Sequence, residues 1–268
     1  MLPLGMTLAF ERQGSGPPLV LLHGLGHRRQ AWNAVLGLLT PHREVITLDL
    51  PGHGESPPLR LSTGDPVAEV AGQIALVLGE LDLSRPHVAG NSLGGVLALT
   101  LGTTGHAASV TALSPAGFST HSYEMTYAHV VFTMARAGAQ VMEPVVKRLA
   151  ETVAGRALLY GQMVSRPRLV PPDQVVGDVA NFARSGEAIR AFFNGPSDFT
   201  EQVDVPVTIA WGSKDRILPP SNAAIAKQRL PSARFIKLTD CGHVPMTDDP
   251  AAVARVLLQG SAPPSLPQ

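Results

Sequence analysis

The sequence predicts an α/β fold with a mostly parallel central sheet flanked by helices. Short apolar runs each end in a Gly-rich or polar turn, as strands buried on both faces do ahead of their loops. Helical periodicities fill the intervals between those runs, and strands alternating with helices give a parallel sheet covered on both sides. At 268 residues and 44% hydrophobic, the chain can bury a large core.

The expected strands are Leu19–Leu22 before His23-Gly24, Val45–Leu48 before Asp49, His87–Ala89 before Gly90, Val110–Leu113 before Ser114, and Val207–Ala210 before Trp211-Gly212. Arg234–Leu238 reads as a last strand. Over 66–81, Val67, Val70, Ile74, Val77, Leu78 and Leu81 recur at three- and four-residue steps, and Asp65-Pro66 supplies an N-cap with proline at the first helical position. Asp249-Pro250 repeats that signal near the end, with Gly260 as the stop. The alternation breaks over 118–198, which reads as consecutive helices with Met125, Val131, Met134, Val141, Met142, Val145, Val146 and Leu149 at apolar positions. This division makes 1–117 and 199–260 the core, 118–198 an inserted helical cap or lid, and 261–268 a disordered Pro/Ser-rich tail. For any one of the insert's apolar residues, a core of its own is the simpler reading.

Lys plus Arg and Asp plus Glu both total 21, so no global field draws in nucleic acid or an anionic lipid surface. A small or neutral substrate fits that balance. One cysteine, Cys241, forms neither an intramolecular disulfide nor a cysteine metal cluster. The start, MLPLGMTLAF, lacks a basic leading segment and a small-residue cleavage site, and no uncharged apolar run reaches the roughly 18 residues of a membrane span. The expectation is a cytoplasmic protein with no signal peptide, no membrane and no nucleic-acid partner. Oligomeric state is not legible.

The chemistry concentrates at Gly90-Asn91-Ser92-Leu93-Gly94-Gly95, which places a serine between glycines, after a strand and before a helix. A sharp strand-to-helix turn exposes such a hydroxyl, and the glycines admit the close backbone approach that the turn demands. The helix behind it directs amide N–H groups at any oxyanion formed there. A serine needs a base, and the base needs a group to fix its tautomer. His243, on the loop after the last strand, and Asp215, on the loop after Val207–Ala210, occupy matching places at strand ends.

With these residues in the order Ser, Asp, His, the chain resembles the α/β-hydrolase family, serine-nucleophile esterase branch, across nearly all but the helical insert. The matching landmarks are His23-Gly24-Leu25-Gly26, Asp49-Leu50-Pro51-Gly52-His53-Gly54-Glu55-Ser56, the Ser92 turn, and the Asp215 and His243 loops. The resemblance implies Ser92 as nucleophile, His243 as base, Asp215 as its orienting acid, and the amides of Leu25 and Leu93 as oxyanion hole. It implies no cofactor and no metal. His23 and His53 become loop-shaping residues, Asp49 is displaced from the acid's position, and Asp240 reads as a surface turn residue. Cys241 reads as a packed side chain whose nearness to His243 makes it a candidate for thiol reagents.

An ester with an apolar acyl or alcohol part is the expected substrate. Gly90–Gly95 and Cys241-Gly242-His243 also resemble the family's carbon–carbon bond hydrolases of dienone acids. Two departures count against that alternative: the short His-Gly-Leu-Gly-His loop, and Val244 where those enzymes carry tryptophan. A weakly catalytic ligand-binding member of the fold is the remaining alternative.

Overall fold

The computed structural model describes residues 8–119, 122–196 and 198–262. The core strands are β1 (Phe10–Gly14), β2 (Pro18–Leu22), β3 (Glu44–Leu48), β4 (His87–Asn91), β5 (Ser109–Leu113), β6 (Val207–Gly212) and β7 (Arg234–Leu238). They form one sheet in the order β1-β3-β2-β4-β5-β6-β7. Every neighbouring pair is parallel except β1 with β3. The six strands read from the sequence are thus present, and β1 is an addition. Its five residues, FERQG, are all exposed, so no apolar run marks it.

Alternation along the strands fills both faces. In β2, Val20 and Leu22 join one apolar cluster, with Ile46, Leu48, Val88 and Val110, while Leu19 and Leu21 join the other. The first face is covered by α2 (Pro66–Glu80) and α3 (Leu93–Thr103), following the short α1 (Asn33–Leu39) in the chain. The second is covered by α1 and by the C-terminal helix at Pro250–Gly260. Both proline starts behave as read: Asp65 Oδ1 accepts from the amides of Val67 and Ala68 at 3.0 Å, and Asp249 Oδ1 accepts from Ala252 N at 2.9 Å.

Between β5 and β6 lie α4 (Ser122–Glu151), α5 (Val153–Tyr160), α6 (Pro172–Arg184) and α7 (Gly186–Asn194). After β6 come α8 (Asn222–Arg229), α9 (Pro245–Asp248) and α10 (Pro250–Gly260). The apolar positions of the insert divide three ways. Val146 is buried, Met134, Val141 and Val145 are exposed, and Met125, Val131 and Met142 line cavities. The tail read as disordered lies outside the described residues from 263 onward. Ser261, at its start, is buried, donating to Leu257 O at 2.8 Å and accepting from Arg43 Nε at 3.0 Å.

Register sets up the site. Leu22 pairs with Gly90, Asn91 with Leu113, Leu113 with Ala210 and Gly212 with Leu238. The loops that follow these residues therefore leave one rim of the sheet. The order in which strands are added reverses between β2 and β4, where open parallel sheets leave a crevice for ligands. Asp65→Ala removes the acceptor for two helix-start amides. It should cost about 1 kcal/mol, read as a lower denaturant midpoint at unchanged slope.

Candidate active site

Ser92 occupies the single residue between β4 and α3, with φ 56° and ψ −115°. A side chain rarely holds this conformation, which costs on the order of 1–3 kcal/mol. The surroundings enforce it. Ser92 N donates to Leu113 O at 3.0 Å, and Ser92 O accepts from Gly95 N at 2.9 Å and Ala116 N at 3.1 Å. A Cβ on Gly90 would strike the Gly94 carbonyl, and one on Gly94 would strike the carbonyl of Leu22. The turn is therefore closed to any residue but glycine at those two places. Ser92 Oγ makes no hydrogen bond among the described residues. It faces a cavity of about 160 Å³ lined also by Leu25, Leu93, Met125, Phe132 and Ile217.

Asp215 and His243 meet 28 residues apart in sequence. His243 Nδ1 lies 2.8 Å from Asp215 Oδ2, with the two side chains 3% and 0% exposed. Asp215 Oδ1 accepts from the amides of Ile217 and Leu218, both at 2.9 Å. The carboxylate is thus fixed by two backbone donors and presents its other oxygen to the ring. Donation by Nδ1–H to that oxygen leaves Nε2 with a lone pair, the tautomer a base requires. Ser92 Oγ and His243 are not hydrogen-bonded to each other, a link that unliganded sites often hold loosely.

Asn91, the residue before Ser92, was not singled out from the sequence. Its Nδ2 donates to Leu113 O at 3.0 Å and to the His243 carbonyl at 2.9 Å, tying the histidine's backbone to the serine's strand. Asp248 was also missed. Buried at 1% exposure, it accepts from Gly242 N at 2.7 Å, Ser165 N at 2.9 Å and Arg166 N at 2.7 Å. Val244 N donates to Met163 O at 2.9 Å. The 163–166 segment of the insert therefore rests on the His243 loop.

On the other side of Ser92 lies the His-Gly loop. A Cβ on Gly24 would sit 3.3 Å from that of Ser92, so the two turns are packed together. Among the described residues, the amides of Leu25 and Leu93 donate to no acceptor within the protein. His23 Nε2 accepts from Leu50 N at 2.9 Å, and His53 Nε2 accepts from Gly26 N at 3.0 Å. Both rings are consumed in holding loops, as read. Burial lowers the pKa of His23 well below the usual histidine value and that of His53 to about 4. Asp49 is likewise occupied, accepting from Arg29 N at 2.7 Å and Glu55 N at 3.0 Å and pairing with the Arg29 guanidinium. Asp240 is an exposed turn residue paired with Lys214 at 2.7 Å.

Asn181 of α6 completes this loop and had no signal in the sequence. Its Oδ1 accepts from Gly54 N at 2.7 Å, and its Nδ2 donates to the carbonyls of Gly26 at 2.8 Å and His27 at 2.9 Å. The reading of Cys241 as a candidate for thiol reagents is corrected. It is buried, and burial followed by the nearby Asp248 pushes its pKa up to about 12, leaving almost no thiolate at neutral pH.

A model described as "Alpha/beta hydrolase family" matches residues 19–256. The chain belongs to the alpha/beta hydrolase family. An uncharacterized protein of Mycobacterium tuberculosis is 28% identical over 262 residues, covering 92% of this chain and 76% of the relative. A pimeloyl-[acyl-carrier protein] methyl ester esterase of Aeromonas salmonicida is 26% identical, covering 94% and 98%. Among solved structures, a thermophilic esterase from Thermogutta terrifontis superposes with a TM-score of 0.73 at 20% identity, covering 94% of this chain and 92% of that one. That likeness shows the fold. No helix of this hydrolase is long and apolar enough to cross a membrane among the described residues.

Two outcomes follow from the buried polar groups. His23, His27 and His53 all have pKa values lowered by burial in the folded chain, so the unfolded chain binds more protons below pH 6.5 and stability falls as pH drops. Denaturant midpoints should hold steady above about pH 7 and decline from 6.5 toward 4, His53 alone accounting for on the order of 3 kcal/mol. A flat profile would contradict the neutral buried rings. Asn181→Ala strands buried backbone groups and should cost at least about 1–3 kcal/mol, measured by the same unfolding experiment.

Proposed function

We propose that this hydrolase cleaves small carboxylic esters with an apolar arm through an acyl-enzyme at Ser92. The observation that carries the reading is the buried 2.8 Å contact between Asp215 and His243, at the same sheet rim as a strained serine that opens onto a largely apolar cavity. In this reading Ser92 Oγ attacks the ester carbonyl carbon as its proton passes to His243 Nε2. The oxygen becomes an oxyanion held by the amides of Leu25 and Leu93, donors of a kind that each contribute a factor of about 10² to 10³. Asp215 does not take a proton; it stabilises the imidazolium that forms.

Collapse of the tetrahedral species breaks the bond to the alcohol, which leaves with the proton from His243. Water then adds to the acyl carbon, giving its proton to His243, and a second collapse returns the proton to Ser92 and frees the acid. No step calls for a metal or an organic cofactor. The insert, 118–198, acts as a lid: Met125 and Phe132 reach the Ser92 cavity from α4. The esterase relative, whose name specifies a methyl ester substrate, supports an ester over the carbon–carbon alternative, as does Val244 after the histidine.

A series of p-nitrophenyl esters from acetyl to decanoyl tests this. Wild type should turn them over, Ser92→Ala should lose activity and phosphonate labelling, and Asp215→Asn should lose roughly 10³–10⁴ in kcat while remaining folded. Turnover and labelling undiminished in Ser92→Ala would place the nucleophile elsewhere.

A further inference from the structure

Beside the Ser92 cavity lies a second one, of about 290 Å³, between the insert and the turn that carries Leu25. Phe132 and Ile217 line both, so the two are adjoining chambers. The second has mostly apolar walls, among them Met142, Leu159, Met163, Val179 and Phe182. It holds far more than a single water.

Two polar residues in it satisfy each other. Asp178 accepts from Arg28 Nε at 2.7 Å and from the Tyr160 hydroxyl. His27 differs. It is 5% exposed, its ring makes no hydrogen bond among the described residues, and its Nδ1 is wholly buried without a partner. The ring sits edge-on to Tyr160 with centroids 6.0 Å apart. Burial lowers its pKa, and His243 is among the groups that add to the lowering, so the imidazole is neutral at pH 7 and within electrostatic reach of the base. A neutral imidazole carries one donor and one acceptor, and leaving such a group unpaired in an apolar chamber is unfavourable.

The position of His27 is as telling as its burial. His27 N donates to Gly24 O at 3.1 Å, closing a turn in which His27 follows Leu25 by two residues, at most about 7 Å from Cα to Cα. A group held by His27 is therefore presented from the same turn as a carbonyl held at Leu25 N.

We infer that the second chamber is the subsite for one arm of the substrate, and that His27 reads a hydroxyl on that arm close to the scissile carbonyl. The substrate class is then a medium-chain hydroxyacyl ester. This rests on the ester reading of Ser92. A hydroxyl both donates and accepts, so it pairs with either tautomer of the ring, and it avoids bringing a second anion beside Asp178.

The probes are methyl octanoate, methyl 3-hydroxyoctanoate and methyl 5-hydroxyoctanoate, titrated calorimetrically into Ser92→Ala protein, with wild-type turnover of each measured in parallel. One of the hydroxy esters should bind about tenfold tighter than methyl octanoate. That preference should vanish when His27→Leu is added and return in part with His27→Gln, whose amide offers a donor and an acceptor. Equal binding of the three esters, or a preference that survives His27→Leu, overturns the subsite. Should His27→Leu fail to fold, Ala139→Phe, which fills the chamber, decides: it must weaken binding of all three esters, and unchanged affinity overturns the assignment. Turnover of methyl octanoate by wild type without any hydroxyl preference sinks the subsite alone. A His27-dependent preference with no turnover of any ester supports the subsite and sinks the hydrolase reading.

Discussion

A buried hydrogen bond between Asp215 Oδ2 and His243 Nδ1, 2.8 Å long, is the interaction on which the proposed chemistry of this hydrolase depends. A serine hydroxyl is inert at neutral pH without a base, and an imidazole is a competent base only when one nitrogen is held as donor and the other left free. In the proposed mechanism Asp215 holds the ring's Nδ1, with backbone and side-chain groups behind both residues. Two amides of the loop after β6 hold Asp215, and the side chain of Asn91, at the end of β4, holds the His243 carbonyl, so the carboxylate and the histidine's backbone are both fixed.

The insert is structurally continuous with the rim that carries Ser92, Asp215 and His243. Asn181 from α6 holds the carbonyls of Gly26 and His27, Arg28 pairs with Asp178 of the same helix, and Asp248 gathers the amides of Gly242, Ser165 and Arg166. The loop that carries Leu25 is thus fastened to α6, and the loop that carries His243 to the 163–166 segment of the insert. Movement of the insert would therefore shift the Leu25 loop and the His243 loop together.

Most of the sheet was legible because parallel strands buried on both faces appear as uninterrupted apolar runs, and the helix starts at Asp65 and Asp249 because their capping chemistry is local. The edge strand β1 was illegible because FERQG is exposed along its length and gains its place only by pairing with β3. Ser92, Asp215 and His243 could be read as candidates because each follows a strand signal. His27, Asn91, Asn181 and Asp248 could not. A polar residue in a turn or helix looks solvent-facing until tertiary contacts bury it, and those contacts join residues up to 155 apart. Cys241 shows the same blindness in reverse, since sequence proximity to His243 says nothing of the burial that keeps its thiol protonated.

The proposed mechanism requires an acyl group to reside on Ser92 during turnover. Acid-quenching the wild-type protein with p-nitrophenyl octanoate in the first turnover and mapping the adduct by peptide mass spectrometry examines it directly. One octanoyl group per chain is expected, confined to the peptide containing Ser92 and absent from His243→Ala. An octanoyl group at any other residue, or steady turnover with Ser92 never modified, would contradict it.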